Sequence, residues 1–277
     1  MPELPEVETV RRGLNQLTLS QEITGGDVLL QRTIAYPFSI DEFIENLNGT
    51  AIKSWHRRGK YLLAELSPSS WLGVHLRMTG QLLWLDKNEP LHKHTRVRLF
   101  FGEQQELRFV DQRTFGQMWY VPGNTPVETI ITGLAKLAVD PFSPDFTVEY
   151  LANKLQKSRR PIKTALLDQS MVAGLGNIYA DEALFKSGIL PTTLCTDLHN
   201  KQIEPLRTAI IQVLSASIAA GGTTFSNFLN VKGINGNYGG EAWVYNRTGE
   251  PCKVCGNIIM RIKLGGRSTH FCSQCQS

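Results

Sequence analysis

No stretch of this chain approaches the roughly 18 consecutive apolar residues that a membrane-spanning helix needs. Nor is there a charged segment leading into an apolar core and a small-residue cleavage site. The expectation is therefore a cytoplasmic protein with no membrane partner. Cysteine is scarce, with five in 277 residues, and this excludes a scaffold held together throughout by disulfides. Acidic residues are missing from three stretches, although the net charge is only +4. Residues 51–60 carry Lys53, Arg57, Arg58 and Lys60, and residues 157–163 carry Lys157, Arg159, Arg160 and Lys163. Residues 252–277 carry Lys253, Arg261, Lys263 and Arg267. Each cluster alone reads as a solvated face. Three together, interleaved with aromatics, read as a surface that follows phosphates. With 42% hydrophobic and 19% charged residues the chain has the composition of a folded protein, and its length allows two domains.

Four of the cysteines form Cys252-x2-Cys255 and Cys272-x2-Cys275. Two such knuckles set four thiolates around one zinc ion, and four thiolates leave no position for a reacting water, so the ion is structural. The residues between the knuckles suit a hairpin that reverses at Gly265-Gly266, with Arg267 at its turn. Cys195 stands apart as a small buried residue.

At the other end the chain reads Met1-Pro2-Glu3-Leu4-Pro5-Glu6. Removal of Met1 would leave a secondary amine on Pro2. An α-amino group titrates near pH 8, far below a lysine, so it supplies a neutral nucleophile able to form a Schiff base. The same residues also describe the start of a helix, with Pro5 in its first position and Glu6 and Glu8 in its first turn. Val7, Val10, Leu14 and Leu17 then form an apolar stripe.

Short apolar runs at 61–66, 71–76, 81–85, 95–101, 107–110 and 117–121 read as strands of an antiparallel sandwich. The expected division is a β-sandwich domain over 1–130, a linker over 131–147, a helical domain over 148–240 and a zinc finger over 241–277. Helical periodicity runs from Val148, from Ile162 to Gln169, from Asn177 to Lys186, and from near Asn200 to Gly221-Gly222, with Pro205 awkwardly inside the last. Before Asn177, Gly174-Leu175-Gly176 fits either an anion-binding turn or a tight helix junction, with Asn177 as the cap. Residues 221–240 hold six glycines together with Thr223, Thr224, Asn227 and Tyr238, a composition suited to closing over a ligand.

Taken in order, Pro2-Glu3-Leu4-Pro5-Glu6-Val7-Glu8, His56-Arg57-Arg58-Gly59-Lys60-Tyr61, His75-Leu76-Arg77-Met78, Gly174-Leu175-Gly176-Asn177-Ile178-Tyr179 and the four-cysteine tail resemble the formamidopyrimidine-DNA glycosylase family along the whole chain. The resemblance implies an α+β protein: a β-sandwich with an N-terminal helix, a helix-two-turn-helix domain and a zinc-binding hairpin. It implies excision of oxidised purines through a Schiff base on Pro2, with strand cleavage by β,δ-elimination. Glu3 matches the acid that opens the sugar ring and Glu6 a neighbour that organises the site. Lys60 and Arg267 match the donors for the first and second eliminations. Met78, Arg113 and Phe115 match the residues that fill the hole left by a flipped base, and His94 and Asn177 match phosphate contacts. The implied partner is double-stranded DNA with oxidised bases or abasic sites, met by a monomer containing one zinc ion. Gln112 and Thr114 depart from the pattern, where many members have proline and a second basic residue, and so does Asn246, where glycine is usual. Two alternatives stay open: a sister glycosylase acting on oxidised pyrimidines, with Leu4 and the glycine-rich segment favouring purines, and a DNA-binding protein without catalysis.

Overall fold

A computed structural model describes residues 1–223 and 228–277, so Thr224 and Asn227 lie outside the described residues. Helix α1 (Leu4–Leu17) begins with Glu3 as its cap, and Pro5 sits in the second helical position rather than the first. The missing N–H of a proline costs nothing anywhere in the first turn, so the shift is neutral. Its stripe is buried as the periodicity implies, with Val7, Val10 and Leu14 fully enclosed. On the remaining face Asn15 exchanges two hydrogen bonds with the backbone of Trp55, and the Trp55 indole donates to Thr18 Oγ1.

The strands are β1 (Ile23–Val28), β2 (Ile34–Tyr36), β3 (Ile52–Arg58), β4 (Tyr61–Leu66), β5 (Ser70–His75), β6 (Gly80–Asp86), β7 (Thr95–Phe101), β8 (Gln105–Asp111) and β9 (Gln117–Val121), with helix α2 (Ile40–Leu47) between β2 and β3. One sheet has the order β1-β7-β8-β6 and the other β2-β9-β5-β4-β3. All pairings are antiparallel except β2 with β9. Alternating residues from both sheets enter one core with the α1 stripe, among them Trp55, Leu62, Val74, Leu82, Leu99 and Phe109.

The six strands expected from the sequence are present, whereas β1, β2, β3 and α2 were not anticipated. β1 contains Gly25-Gly26 and β3 has only Ile52 and Trp55 among basic and polar residues, so neither looks like an apolar run. α2 is short, but Ser39 accepts the Glu42 N–H and caps it.

Helix α3 (Val127–Ile130) closes this part of the chain. By contact, residues 1–135 and 221–236 form one compact unit, and residues 136–220 and 237–277 a second. The described residues of the glycine-rich segment up to Gly236 thus group with the sandwich, and those from Asn237 on with the second unit. The Trp84 N–H donates to the Val231 carbonyl, and Phe228 and Val231 join the sandwich core.

The second unit contains α4 (Val148–Leu155), α5 (Ile162–Leu166), α6 (Asn177–Lys186) and α7 (Asn200–Ala219), followed by the hairpin β10 (Met260–Leu264) and β11 (Arg267–Phe271). Pro205 lies inside α7 and forgoes one backbone bond. Among the described residues no helix is long and apolar enough to cross a membrane.

Candidate active site and metal centre

In the first unit the site grows from the cap of α1. The Glu3 N–H donates to Glu6 Oε2 at 2.8 Å, and the Thr223 N–H donates to Glu6 Oε1 at 2.9 Å. One fully buried carboxylate therefore ties the start of the chain to a residue far along it. Gly222 makes this possible. Its φ is +89°, and a Cβ there would stand 3.3 Å from Glu6 Oε1. Pro2, Glu3 and Lys60 are buried beside this anchor. Lys60 follows Gly59, whose φ of +57° turns β3 into β4.

Burial lowers the pKa of the chain's amino group on Met1; the Lys60 and Arg113 cations act in the same direction, and Glu3 and Glu6 oppose it. Met1 and Pro2 line a cavity of about 300 Å³ with Met78, Gln81, Arg113 and Phe228.

Met78, Arg113 and Phe115 come from two loops that follow strands of different sheets, and the structure brings them to the rim of this region. Met1, Met78 and Phe115 also share a neighbouring cavity with Arg77 and Thr114. Phe115 is half exposed, with the Arg113 guanidinium 5.1 Å from its ring centre. Asp111 holds the second loop: its carboxylate accepts from the Arg113 and Gly116 N–H groups and from the Thr79 hydroxyl. Arg77 and Thr114 both adopt positive φ, at +53° and +58°. Non-glycine residues resist this region, and such strain concentrates where a loop must present a side chain.

His75 lies in the motif shared with Met78 but was not among the expected site residues. The buried His75 Nδ1 accepts the Arg77 N–H at 3.0 Å, and burial, with Arg77 and Lys60 nearby, takes its pKa down to about 3. It is a neutral imidazole with its proton on Nε2. His94 is half-buried at the entrance to β7, and its ring meets Arg96.

In the second unit the four predicted cysteines converge, and their Sγ atoms all lie within 4.8 Å of one another. Cys252 to Cys275 is 3.9 Å and Cys255 to Cys272 is 3.5 Å. A tetrahedron with zinc–sulfur bonds of about 2.3 Å has edges of about 3.8 Å, so the donor set fits one zinc ion. None of the cysteines is in a disulfide, and Cys195 is fully buried as expected. The hairpin reverses at Gly265-Gly266, with φ values of +54° and +77°, and Arg267 stands exposed at the first position of β11.

Asn177 is the first residue of α6 rather than its cap, which is Gly176. Its side chain turns instead to β11, where Nδ2 donates to the Ser268 carbonyl at 3.0 Å. The turn before it is held by Gln169, which accepts from the Gly174 N–H and donates to the Leu175 carbonyl.

Lys163 is not a surface cation: it is 1% exposed, 2.7 Å from Asp181, and donates to the Ser268 carbonyl and Thr269 Oγ1. Asp181 also accepts the His270 N–H at 2.9 Å. Glu182 accepts the N–H groups of Trp243, Val244 and Tyr245, and burial raises its pKa. The basic clusters therefore do two jobs. Arg57 pairs with Glu8 and Arg160 with Asp168, whereas Lys157, Arg159, Lys263 and Arg267 face solvent.

Three family models match the chain: the formamidopyrimidine-DNA glycosylase N-terminal domain over residues 1–118, the H2TH domain of the same enzymes over 137–228, and the zinc finger found in FPG and IleRS over 249–277. The formamidopyrimidine-DNA glycosylase of Trichormus variabilis is 78% identical over 276 residues, covering all of both chains. That of Nostoc punctiforme is 79% identical, covering all of this chain and 96% of its own. Among solved structures, the Lactococcus lactis Fpg in complex with an abasic site containing DNA superposes with a TM-score of 0.92 at 35% identity, covering 99% of each chain. The same protein in complex with a Fapy-dG containing DNA gives 0.90 at 36%, covering 99% of this chain and all of the other. With relatives this similar along its full length, the chain belongs to the formamidopyrimidine-DNA glycosylase family.

Proposed function

We propose that the chain is a base-excision DNA repair enzyme that removes oxidised purines and then cuts the strand, with Pro2 as the nucleophile once Met1 is removed. One observation carries this reading: Pro2 is buried among Glu3, Glu6 and Lys60, in surroundings that lower the pKa of the adjoining Met1 amine.

The Pro2 nitrogen attacks the anomeric carbon, the bond from that carbon to the base breaks, and the base leaves with a proton. Glu3 protonates the ring oxygen as the sugar opens to an iminium. The iminium acidifies the adjacent C–H. Loss of that proton expels the 3′ phosphate with Lys60 as donor, and a second elimination expels the 5′ phosphate with Arg267 as donor. Hydrolysis then frees the amine. Glu6 holds the α1 cap and Thr223 in register for these steps.

Met78, Arg113 and Phe115 fill the space vacated by the flipped nucleotide and offset part of the unstacking cost. His94 and Asn177 contact phosphates. The zinc ion supplies no chemistry at the sugar; held by its four cysteines, it fixes the hairpin that carries Arg267. The substrate is double-stranded DNA with oxidised bases or abasic sites, bound by a monomer, and the enzyme works in the cytoplasm at the chromosome.

Borohydride reduction of the mature protein with duplexes carrying 8-oxoguanine, an oxidised pyrimidine or no lesion tests this reading. Covalent adduct should form fastest on 8-oxoguanine. Preference for the pyrimidine would reassign the substrate, and absence of adduct on every damaged duplex would overturn the enzyme reading.

A further inference from the structure

We propose that Arg96 is a positioning residue that holds His94 as a neutral imidazole with its single ring proton on Nε2, so that His94 meets DNA phosphate as an uncharged donor. This rests on the reading of His94 as a phosphate contact.

The argument is one of donors and acceptors. Arg96 Nη2 lies 3.1 Å from His94 Nδ1. A guanidinium has five N–H groups and no acceptor, so Nδ1 must be the accepting atom and cannot carry a proton. The one proton of the neutral ring is then on Nε2. An imidazolium would set an N–H against an N–H, which this geometry forbids.

Arg96 is itself fixed from the same place as the histidine. Its Nε donates to the Asp111 carbonyl at 2.8 Å, and the Asp111 N–H donates to the His94 carbonyl at 2.9 Å. The ring, the guanidinium and Asp111 thus form a closed circuit, and the carboxylate of the same Asp111 holds the loop of Arg113. The His94 N–H meets His92 Nδ1 at 3.2 Å, which fixes the approach to β7. The charged and titratable groups around the ring work in the same sense: besides burial, Lys93, Arg96 and His92 lower its pKa, and Asp111 alone opposes them.

A consequence follows for DNA binding. Each phosphate neutralised by a cation adds about 0.9 to the salt slope on duplex DNA, whereas a neutral donor adds affinity without adding slope. His94 would grip the backbone equally well across salt and pH, and the charge would come from neighbours such as Lys93.

Long-range proton–nitrogen NMR on the full chain with labelled histidine reads the tautomer directly, with the His94 signal assigned by its loss in His94→Gln. The expected result is a His94 ring protonated at Nε2 alone at pH 7 and 8. A cationic ring, or one protonated at Nδ1, at pH 7 overturns the proposal.

In Arg96→Met the ring loses one of the cations that lower its pKa and the partner that blocks Nδ1, so it should take up a proton at higher pH than in the parent, and duplex affinity should rise as it does. A variant that folds and keeps the parental tautomer and flat pH response also overturns the proposal. His94→Ala, measured on an abasic-analogue duplex, separates the two layers. Parental affinity there removes the phosphate reading and leaves the tautomer result to stand or fall alone.

Discussion

The amine pocket in the first unit and the zinc hairpin in the second are both held by buried carboxylates, but on different terms. Glu6 accepts two backbone N–H groups, one of them from the cap of its own helix, and meets the residues it positions directly. Asp181 is ion-paired with Lys163 and accepts from the His270 backbone, and Glu182 accepts from three consecutive N–H groups. Asp181 holds the hairpin from outside, Glu182 holds the stretch that leads to it, and four thiolates hold it from within. The pocket is thus part of a sandwich with a large core. The hairpin has only a small apolar cluster around Phe185, Val244, Ile259 and its cysteines. A segment that cannot bury enough apolar surface needs a metal and charged contacts in its place.

The largest break in this comparison is removal of zinc. Structural zinc sites contribute on the order of 10 kcal/mol to folding, so chelation should abolish hydrogen-exchange protection in β10 and β11 and leave the β4, β5 and β9 amides protected. Equal loss in both units would mean that the hairpin is not the separately stabilised element.

Next in size is Asp181→Asn, which leaves the buried Lys163 charge without its partner and should destabilise the second unit by about 3–5 kcal/mol. Denaturant unfolding followed by hydrogen exchange would place the loss in β11; an unchanged hairpin would argue against the external hold. Glu6→Gln sets a side-chain amide in place of a carboxylate oxygen and should cost about 1–3 kcal/mol. Its signature is faster exchange at the Thr223 amide, with β11 unaffected.

The smallest effect is a pH response. His75 has a folded pKa of about 3, lowered chiefly by burial, against an unfolded value near 6.5. The unfolded chain takes up the proton first. The stability tied to neutral His75 is therefore complete above pH 6.5 and is lost as pH falls toward 3, by at most about 1.4 kcal/mol per pH unit. Urea unfolding at pH 5 and 7 should show a smaller difference in His75→Gln than in the parent.

The same contrast governs what could be read from the sequence. The cysteine knuckles and the hairpin turn were legible because a metal fixes ligand spacing locally. The α1 stripe and six strands were legible from their apolar periodicity. β1 and β3 were not, since two glycines break one and basic and polar residues outnumber the apolar ones in the other. Lys163 was misread as a phosphate-facing cation, because its charge is visible in sequence while the acid that buries it lies on another helix. Asn177 was assigned to the cap for a related reason: its partner, the Ser268 carbonyl, is remote in sequence. The structural part of His75 was not legible because its Nδ1 bond to the Arg77 N–H depends on the loop conformation that sets Arg77 at positive φ. Asn246 fared better, since its φ of +60° is the left-handed turn that an asparagine in place of glycine implies.

The central claim is a covalent bond between DNA and the nitrogen of Pro2. Mass spectrometry of the borohydride-trapped complex, after proteolysis and nuclease digestion, tests it most directly. The account predicts the reduced sugar remnant on an N-terminal peptide that begins at Pro2 and lacks Met1. A remnant on Lys60 or any other lysine, or a trapped protein that still carries Met1, would contradict it.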